Sequence, residues 1–354
     1  MKVRKNYTRV HDFSMKGEII TKKSLLYYLV TVVLLLGFGL SGSLSQAAAK
    51  TYTINCLTAW PKSAFESGEF LKFLDNVQKE ADKKYPGELK LVYKGAGEVV
   101  ATREQVEACR TGLIEMVYTA GSYYTSVLPV IDIMSLTDMM PWEERKAGVF
   151  AYLNKLHNEK ANVEMLGRVG TGSYFHLFLA KSIEKVVDLK GRKIRCSPTT
   201  ISFMKAVGAT PIQMPPPDVY TAMERGVVDG YLLPPGTIRD FGLVPVSKYI
   251  VFPGIYQPCQ FVLINLDVWK GLPKHLQHML VENTEKMAHF NIEDQVAQLK
   301  KELDEFKKEG MQTIDLPGAE GAEFKKIADS ALYDTVVKKA PEEAKKLLEM
   351  ITKK

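Results

Sequence analysis

One arginine in this chain stands where a chain of this pattern would hold an anion. The stretch 188–235, DLKGRKIRCSPTTISFMKAVGATPIQMPPPDVYTAMERGVVDGYLLPP, reads as strand, helix, strand, helix, strand. Lys193–Cys196 is the first strand. Ser197 is a natural N-cap, and Pro198 suits the first helical position, where a missing N–H costs nothing. The following helix carries Ile201, Met204 and Val207 on one face and stops at Gly208, a left-handed C-terminal glycine. Arg195 therefore lies at the carboxyl end of a strand, beside a helix N-terminus. Ligands of open α/β sheets bind at such strand ends, and free N–H groups there favour anions. A guanidinium fork matches a carboxylate with two parallel hydrogen bonds. Spacing alone leaves a second reading open, in which Arg195 is a surface or interdomain salt-bridge residue.

Other chemistry finds little footing. The chain has no G-x-S-x-G, no Walker A motif and no dinucleotide fingerprint, so neither a catalytic centre nor a cofactor is expected. His275 and His278, three apart, lack an acidic or cysteine partner nearby, so solvated helix residues are expected rather than a metal site. Asp218 follows three prolines and reads as an N-cap, with ligand or cation contact the lesser alternative. The four cysteines, Cys56, Cys109, Cys196 and Cys259, form no C-x-x-C pair, which leaves buried thiols and a bridge both open.

The elements that must position Arg195 follow from periodicity. Residues 51–58 read as a strand, 67–85 as a helix with Phe70, Phe73, Leu74, Val77 and Ala81 on one face, and 89–94 as a strand. A helix over 102–110 and a strand over 114–119 follow. Strands separated by such helices imply a parallel sheet with right-handed crossovers. The motif region builds a second sheet of the same kind. Residues 274–309 contain neither Pro nor Gly and read as one helix of more than about 50 Å. Their apolar residues keep no strict heptad, which argues against a coiled-coil arm and for a helix running along two lobes.

Composition sets the compartment. With 46% apolar and 25% charged residues the chain is globular. Its net charge of +6 sits mostly at the start: residues 1–49 hold seven basic and two acidic residues, leaving 40 against 39 in the rest. A nearly neutral body implies no attraction to nucleic acid or to a membrane surface. The apolar run 25–40 follows Lys22 and Lys23 and precedes SGSLSQAAAK, the order of an export signal, with cleavage expected between Ala49 and Lys50. An uncleaved anchor is the alternative, the run being near the lower length for a span. Met15 is a plausible true start, and no lipobox cysteine follows.

The phrases DLKGRKIR, GATPIQM and DVYTAMERGVVDG resemble, in order, the signature of the periplasmic solute receptors of tripartite ATP-independent periplasmic (TRAP) transporters, the DctP family. The similarity runs from about Tyr52 to the C-terminus. The resemblance implies an α/β, two-lobed periplasmic binding protein fold with parallel-rich sheets, hinge strands and a long helix spanning both lobes. Lobe one would be 50–172 plus 259–298, and lobe two 173–258 plus 299–354. It implies a non-enzymatic receptor that closes around a small organic acid and delivers it to the transporter's membrane subunits. Arg195 matches the family's carboxylate-binding arginine. Ser197 and the adjacent helix N-terminus would add N–H donors, and Phe175, Leu233, Pro234, Trp60 and Tyr118 would shape the pocket. Sialic-acid-binding members place Arg, Glu and Asn at the positions of Phe175, Ala120 and Leu233. Apolar residues there point to a carboxylate with a compact or hydrophobic body. A receptor of the ATP-driven transporter type shares the two-lobe idea without these motifs, and a secreted enzyme acting on acids lacks a nucleophile–base pair.

The export reading predicts a mature N-terminus near Lys50. N-terminal sequencing of the secreted protein checks it, and recovery of Met1 or Met15 in the membrane fraction contradicts it.

Overall fold

The computed structural model of the protein describes residues 50–352. The expected signal over 1–49 lies outside the described residues. Strands β1 (Tyr52–Thr58), β2 (Leu89–Gly95), β3 (Met116–Ala120), β4 (Val163–Arg168) and β10 (Gln260–Asn265) form one sheet in the order β2-β1-β3-β10-β4. Strands β5 (Phe175–Leu179), β6 (Lys193–Cys196), β7 (Thr210–Gln213), β8 (Gly230–Leu233), β9 (Tyr249–Ile255) and β11 (Gln312–Asp315) form the other, in the order β11-β9-β5-β8-β6-β7. The fold is mixed α/β with two lobes, one around each sheet.

The βα units pair as their spacing predicts, with β1 parallel to β2 and β3, and β6 parallel to β7 and β8. Neither sheet is wholly parallel, however. β10 runs antiparallel to both β3 and β4, and β5 antiparallel to both β8 and β9. These strands arrive directly from the other lobe, so no crossover helix dictates their direction. The helix expected over 102–110 is regular only from Gln105 to Arg110.

Every strand of the first sheet falls within 50–172 and 259–298, and every strand of the second within 173–258 and 299–354. The chain crosses at 169–174, at 256–259 and along one helix. Helix α1 (Phe65–Lys84) buries Phe70, Phe73, Leu74, Val77 and Ala81, the face read from the sequence. They pack with Leu276, Met279, Leu280 and Met287 of the 35-residue helix α3 (Lys274–Lys308). The other end of α3 places Leu303 and Phe306 among Phe178, Tyr231 and Ile238 of the second lobe. A helix of this length spans about 52 Å at 1.5 Å per residue, which is why it reaches both cores.

A third apolar cluster belongs to both lobes. The 3-10 segment Pro129–Leu136 contributes Val130, Ile131, Ile133 and Met134, which meet Phe203 and helices α4 (Gly318–Val337) and α5 (Pro341–Thr352). Helix α5 falls in the stretch assigned by sequence to lobe two, yet it also packs on helix α2 (Val149–Ala161) of the first lobe, where Lys160 pairs with Glu343. The lobe boundary therefore blurs at the C-terminus, because Ala344 and Leu347 complete this shared core.

One buried ion pair anchors the first lobe. Arg168, at the end of β4, donates from Nε to Glu144 Oε1 at 2.6 Å and from Nη2 to the Met139 carbonyl, and both charged side chains are excluded from water. Removing one partner strands the other charge, so Glu144→Ala should destabilise the protein by about 3–5 kcal/mol. Urea unfolding checks this, and a loss below about 1 kcal/mol, the range of exposed pairs, refutes it.

Candidate functional site

Arg195 sits in β6 between β7 and β8, its backbone in register with Ile212 and Tyr231. Its residue is only 3% exposed. Nε donates to the Met214 carbonyl at 2.9 Å and Nη1 to the Leu232 carbonyl at 3.4 Å. Both acceptors are neutral, and no carboxylate of the described residues forms an ion pair with it. Burial pulls the guanidinium below its usual pKa, while Tyr123, Cys196 and Asp218 act weakly the other way. A guanidinium carries five N–H donors, so most remain available to an anion.

Arg195 faces a cavity of about 70 Å³ between the lobes. Phe175, Ser197, Leu233 and Pro234 line it from the second lobe, and Trp60 and Tyr123 from the first. A wider space of about 560 Å³ continues past Arg195, Trp60 and Tyr123 toward Arg103 and Gln213. Each residue supplying the apolar wall sits at an element's end. Phe175 opens β5, Leu233 closes β8, and Trp60 follows β1. Ala120, at the end of β3, and Phe175 and Leu233 all line the cavity, so its wall is apolar at the three positions singled out by sequence.

Tyr118 is placed differently. It is fully buried behind Trp60, with ring centroids 5.1 Å apart, and its hydroxyl donates to Gln260 Oε1 at 2.6 Å. It supports the wall rather than lining it. Ser197 lines the cavity, but its own N–H is spent on Thr200 Oγ1 at 3.1 Å. The turn Pro198–Thr200 is 3-10 and the regular helix begins only at Ile201, so the expected sheaf of free N–H groups is reduced. Asp218 occupies the N-cap position of helix Val219–Glu224 without a side-chain capping bond. His275, expected to be solvated without an acidic partner, instead pairs with Glu88 at 2.8 Å and packs tilted against Tyr85, while His278 is exposed.

Reading the sequence missed the polar floor. Glu66, in the first turn of α1, is 4% exposed and lines the cavity. Gln260 Nε2 donates to its Oε1 at 3.5 Å, and Oε2 has no partner. Burial, with Asp240 nearby, pushes the carboxyl up to about 7. An acid in a first helical turn is so common that it carries no signal of a cavity. Gln257 was missed for the same want of a pattern. It receives the Gly172 N–H at 3.0 Å and donates to Asp138 at 2.8 Å, tying two interlobe crossings together. Two further bonds bridge the lobes: Phe65 N–H to Asp240 Oδ2 and Thr199 Oγ1 to Asp132 Oδ1, both 2.9 Å.

The family model for bacterial extracellular solute-binding proteins, family 7, matches residues 63–339. A monocarboxylate 2-oxoacid-binding periplasmic protein of Nostoc is 26% identical over 66% of this chain and 65% of its own. The chain spans less than two thirds of the first curated relatives it matches, 65% of that one and 48% of the next. Among solved structures, a TRAP periplasmic solute-binding protein of Desulfovibrio salexigens with bound orotic acid superposes with a TM-score of 0.73. It is 23% identical, over 85% of this chain and 97% of its own. An extracytoplasmic solute receptor of Bordetella pertussis binding pyroglutamic acid gives 0.74 at 19% identity, over 85% and 99%. These likenesses show the fold.

All four cysteines are buried and unbridged. Burial holds the thiol of Cys259, on the cavity wall, up at about 11. Without reductant, a thiol reagent should titrate four sulfhydryls in denatured protein and react only slowly with the native form. Two or fewer after denaturation would reveal a bridge.

Proposed function

The chain belongs to the bacterial extracellular solute-binding proteins of family 7, and from that premise we propose that it is the extracytoplasmic receptor of a TRAP transporter. Its cargo is a small organic acid, held by Arg195 and passed to the transporter's membrane subunits. The observation that carries this reading is the cation itself. A buried charge is costly unless paired, and Arg195 has only two neutral carbonyls for company. A carboxylate supplies the missing charge and fits the open side of the fork. The Nostoc relative binds 2-oxoacids, and the Desulfovibrio and Bordetella receptors bind orotic and pyroglutamic acid, each a carboxylic acid.

Phe175, Leu233, Pro234 and Trp60 shape the rest of the space, with Tyr118 holding Trp60 from behind. These walls favour a compact ligand over a sugar acid. Binding draws the lobes together: Arg195 comes from one lobe and Trp60 from the other, so a ligand touching both favours the closed form. The crossings at 169–174 and 256–259 are the hinge. No helix among the described residues is long and apolar enough to cross a membrane, and the family is extracellular by description.

Arg195→Ala tests the anchor. Truncating one side of a buried charge pair costs about 2–5 kcal/mol. At about 1.4 kcal/mol per decade, binding of an acid first identified in a thermal-shift screen should weaken roughly thirty- to several-thousand-fold. Arg195→Lys keeps the charge without the planar fork and should fall between. Calorimetric titration of the folded variants decides it. Binding of Arg195→Ala within threefold of wild type would remove Arg195 from this role.

A further inference from the structure

Glu66 is the polar feature of the cavity that the carboxylate anchor does not explain. It enters from the first lobe, whereas Arg195 enters from the second. Its surroundings are fixed. Tyr118 donates to Gln260 Oε1, which turns the Gln260 amide so that Nε2 faces Glu66 Oε1. The other carboxyl oxygen, Oε2, is buried without a partner. An unsatisfied buried oxygen on a cavity wall is a hydrogen-bonding position left for an occupant.

Burial, and secondarily Asp240, favour the neutral form of Glu66 over the opposing pull of its own backbone N–H and the Gln260 amide. Asp240, from helix Pro235–Asp240, is an acid, and Glu302 of α3 lines the adjoining space with both of them. Burial raises Glu302 to about 7 as well. Arg239 borders that space but is committed to Glu305 at 3.2 Å and Glu309 at 2.6 Å. Glu69, on the same helix as Glu66, is paired with Lys72 at 2.7 Å. Tyr118 and Tyr123 are held in their neutral forms by burial. A neutral Glu66 that accepts from Gln260 through Oε1 has a hydroxyl hydrogen to give from Oε2.

We propose that Glu66 is the specificity residue of this cavity, donating that hydrogen to a carbonyl or hydroxyl oxygen on the ligand body. The cavity then selects monocarboxylates bearing one neutral oxygen over plain aliphatic acids, which leave Glu66 unsatisfied. It also disfavours dicarboxylates, whose second charge would be buried beside Asp240 and Glu302 while Arg239 is committed to Glu305 and Glu309. The inference rests on the carboxylate reading of Arg195.

The test is calorimetric titration of wild type, Glu66→Gln, Glu66→Ala and Arg195→Ala with butanoate, pentanoate, 2-oxobutanoate, 2-hydroxybutanoate, 4-oxopentanoate and succinate. At pH 6, wild type should bind at least one oxo or hydroxy acid tenfold or more tighter than its plain analogue and than succinate. Glu66→Gln keeps a donor and the side-chain shape, so it should retain that preference within threefold. Glu66→Ala should lose it. Because the carboxyl titrates at about 7, raising the pH to 8.5 removes the donor, and wild-type affinity should fall about ten- to thirtyfold. Glu66→Gln should show no such fall. If Arg195→Ala abolishes binding while Glu66→Ala keeps the wild-type preference, this inference fails and the anchor stands. If no acid binds, or Arg195→Ala binds as wild type does, the carboxylate reading fails and takes this inference with it.

Discussion

A positive charge taken out of water without a negative partner is the constraint on which the cleft is built. Arg195 sits in an inner strand and is only 3% exposed. Two backbone carbonyls orient the guanidinium without neutralising it. In an ordinary core this arrangement would cost several kcal/mol and select for replacement by an apolar residue. In the proposed receptor an anion would offset that cost, coupling the stability of the closed form to occupancy. The apolar ends of β5 and β8 then matter because they exclude water from the pair and strengthen it.

The fold was legible where its signals are local. Lys193–Cys196, the left-handed Gly208, the apolar face of α1 and the length of α3 all follow from periodicity and caps. Strand direction in β5 and β10 was not legible, because it is set by pairing with strands far away in the chain. Arg195 was singled out because it lies at the end of a predicted strand, and the structure does bury it beside the cavity. Glu66 and Gln260 could not be singled out, since an acid in a first turn and a glutamine in a strand are ordinary until the sheet places them side by side. Tyr118 shows the converse: an aromatic residue of suitable type and position that burial assigns to the wall's support.

The two lobes are less separate than two sheets suggest. Segment Pro129–Leu136, helix α4 and helix α5 share one apolar cluster, so part of the core lies beneath the crossings rather than in either lobe. Movement about 169–174 and 256–259 must leave that cluster packed, because interiors at crystal-like density tolerate little sliding. Gln257 fixes the geometry of the crossings through bonds to Gly172 and Asp138. The expected motion is thus a rotation about a packed base, with the cleft opening on the far side.

The interleaving of the sheets also governs when the protein can fold. β10 is an inner strand of the first sheet, yet Gln260 lies 142 residues beyond Tyr118, its partner across the cavity wall. Until that strand has been made, β3 and β4 have no neighbour to join them, and the first lobe is a pair of open edges. The second sheet has five of its six strands by Ile255 and gains only the edge strand β11 later. A nascent chain of this order stays without a finished first sheet through most of its synthesis, leaving apolar strand edges uncovered until late in translation.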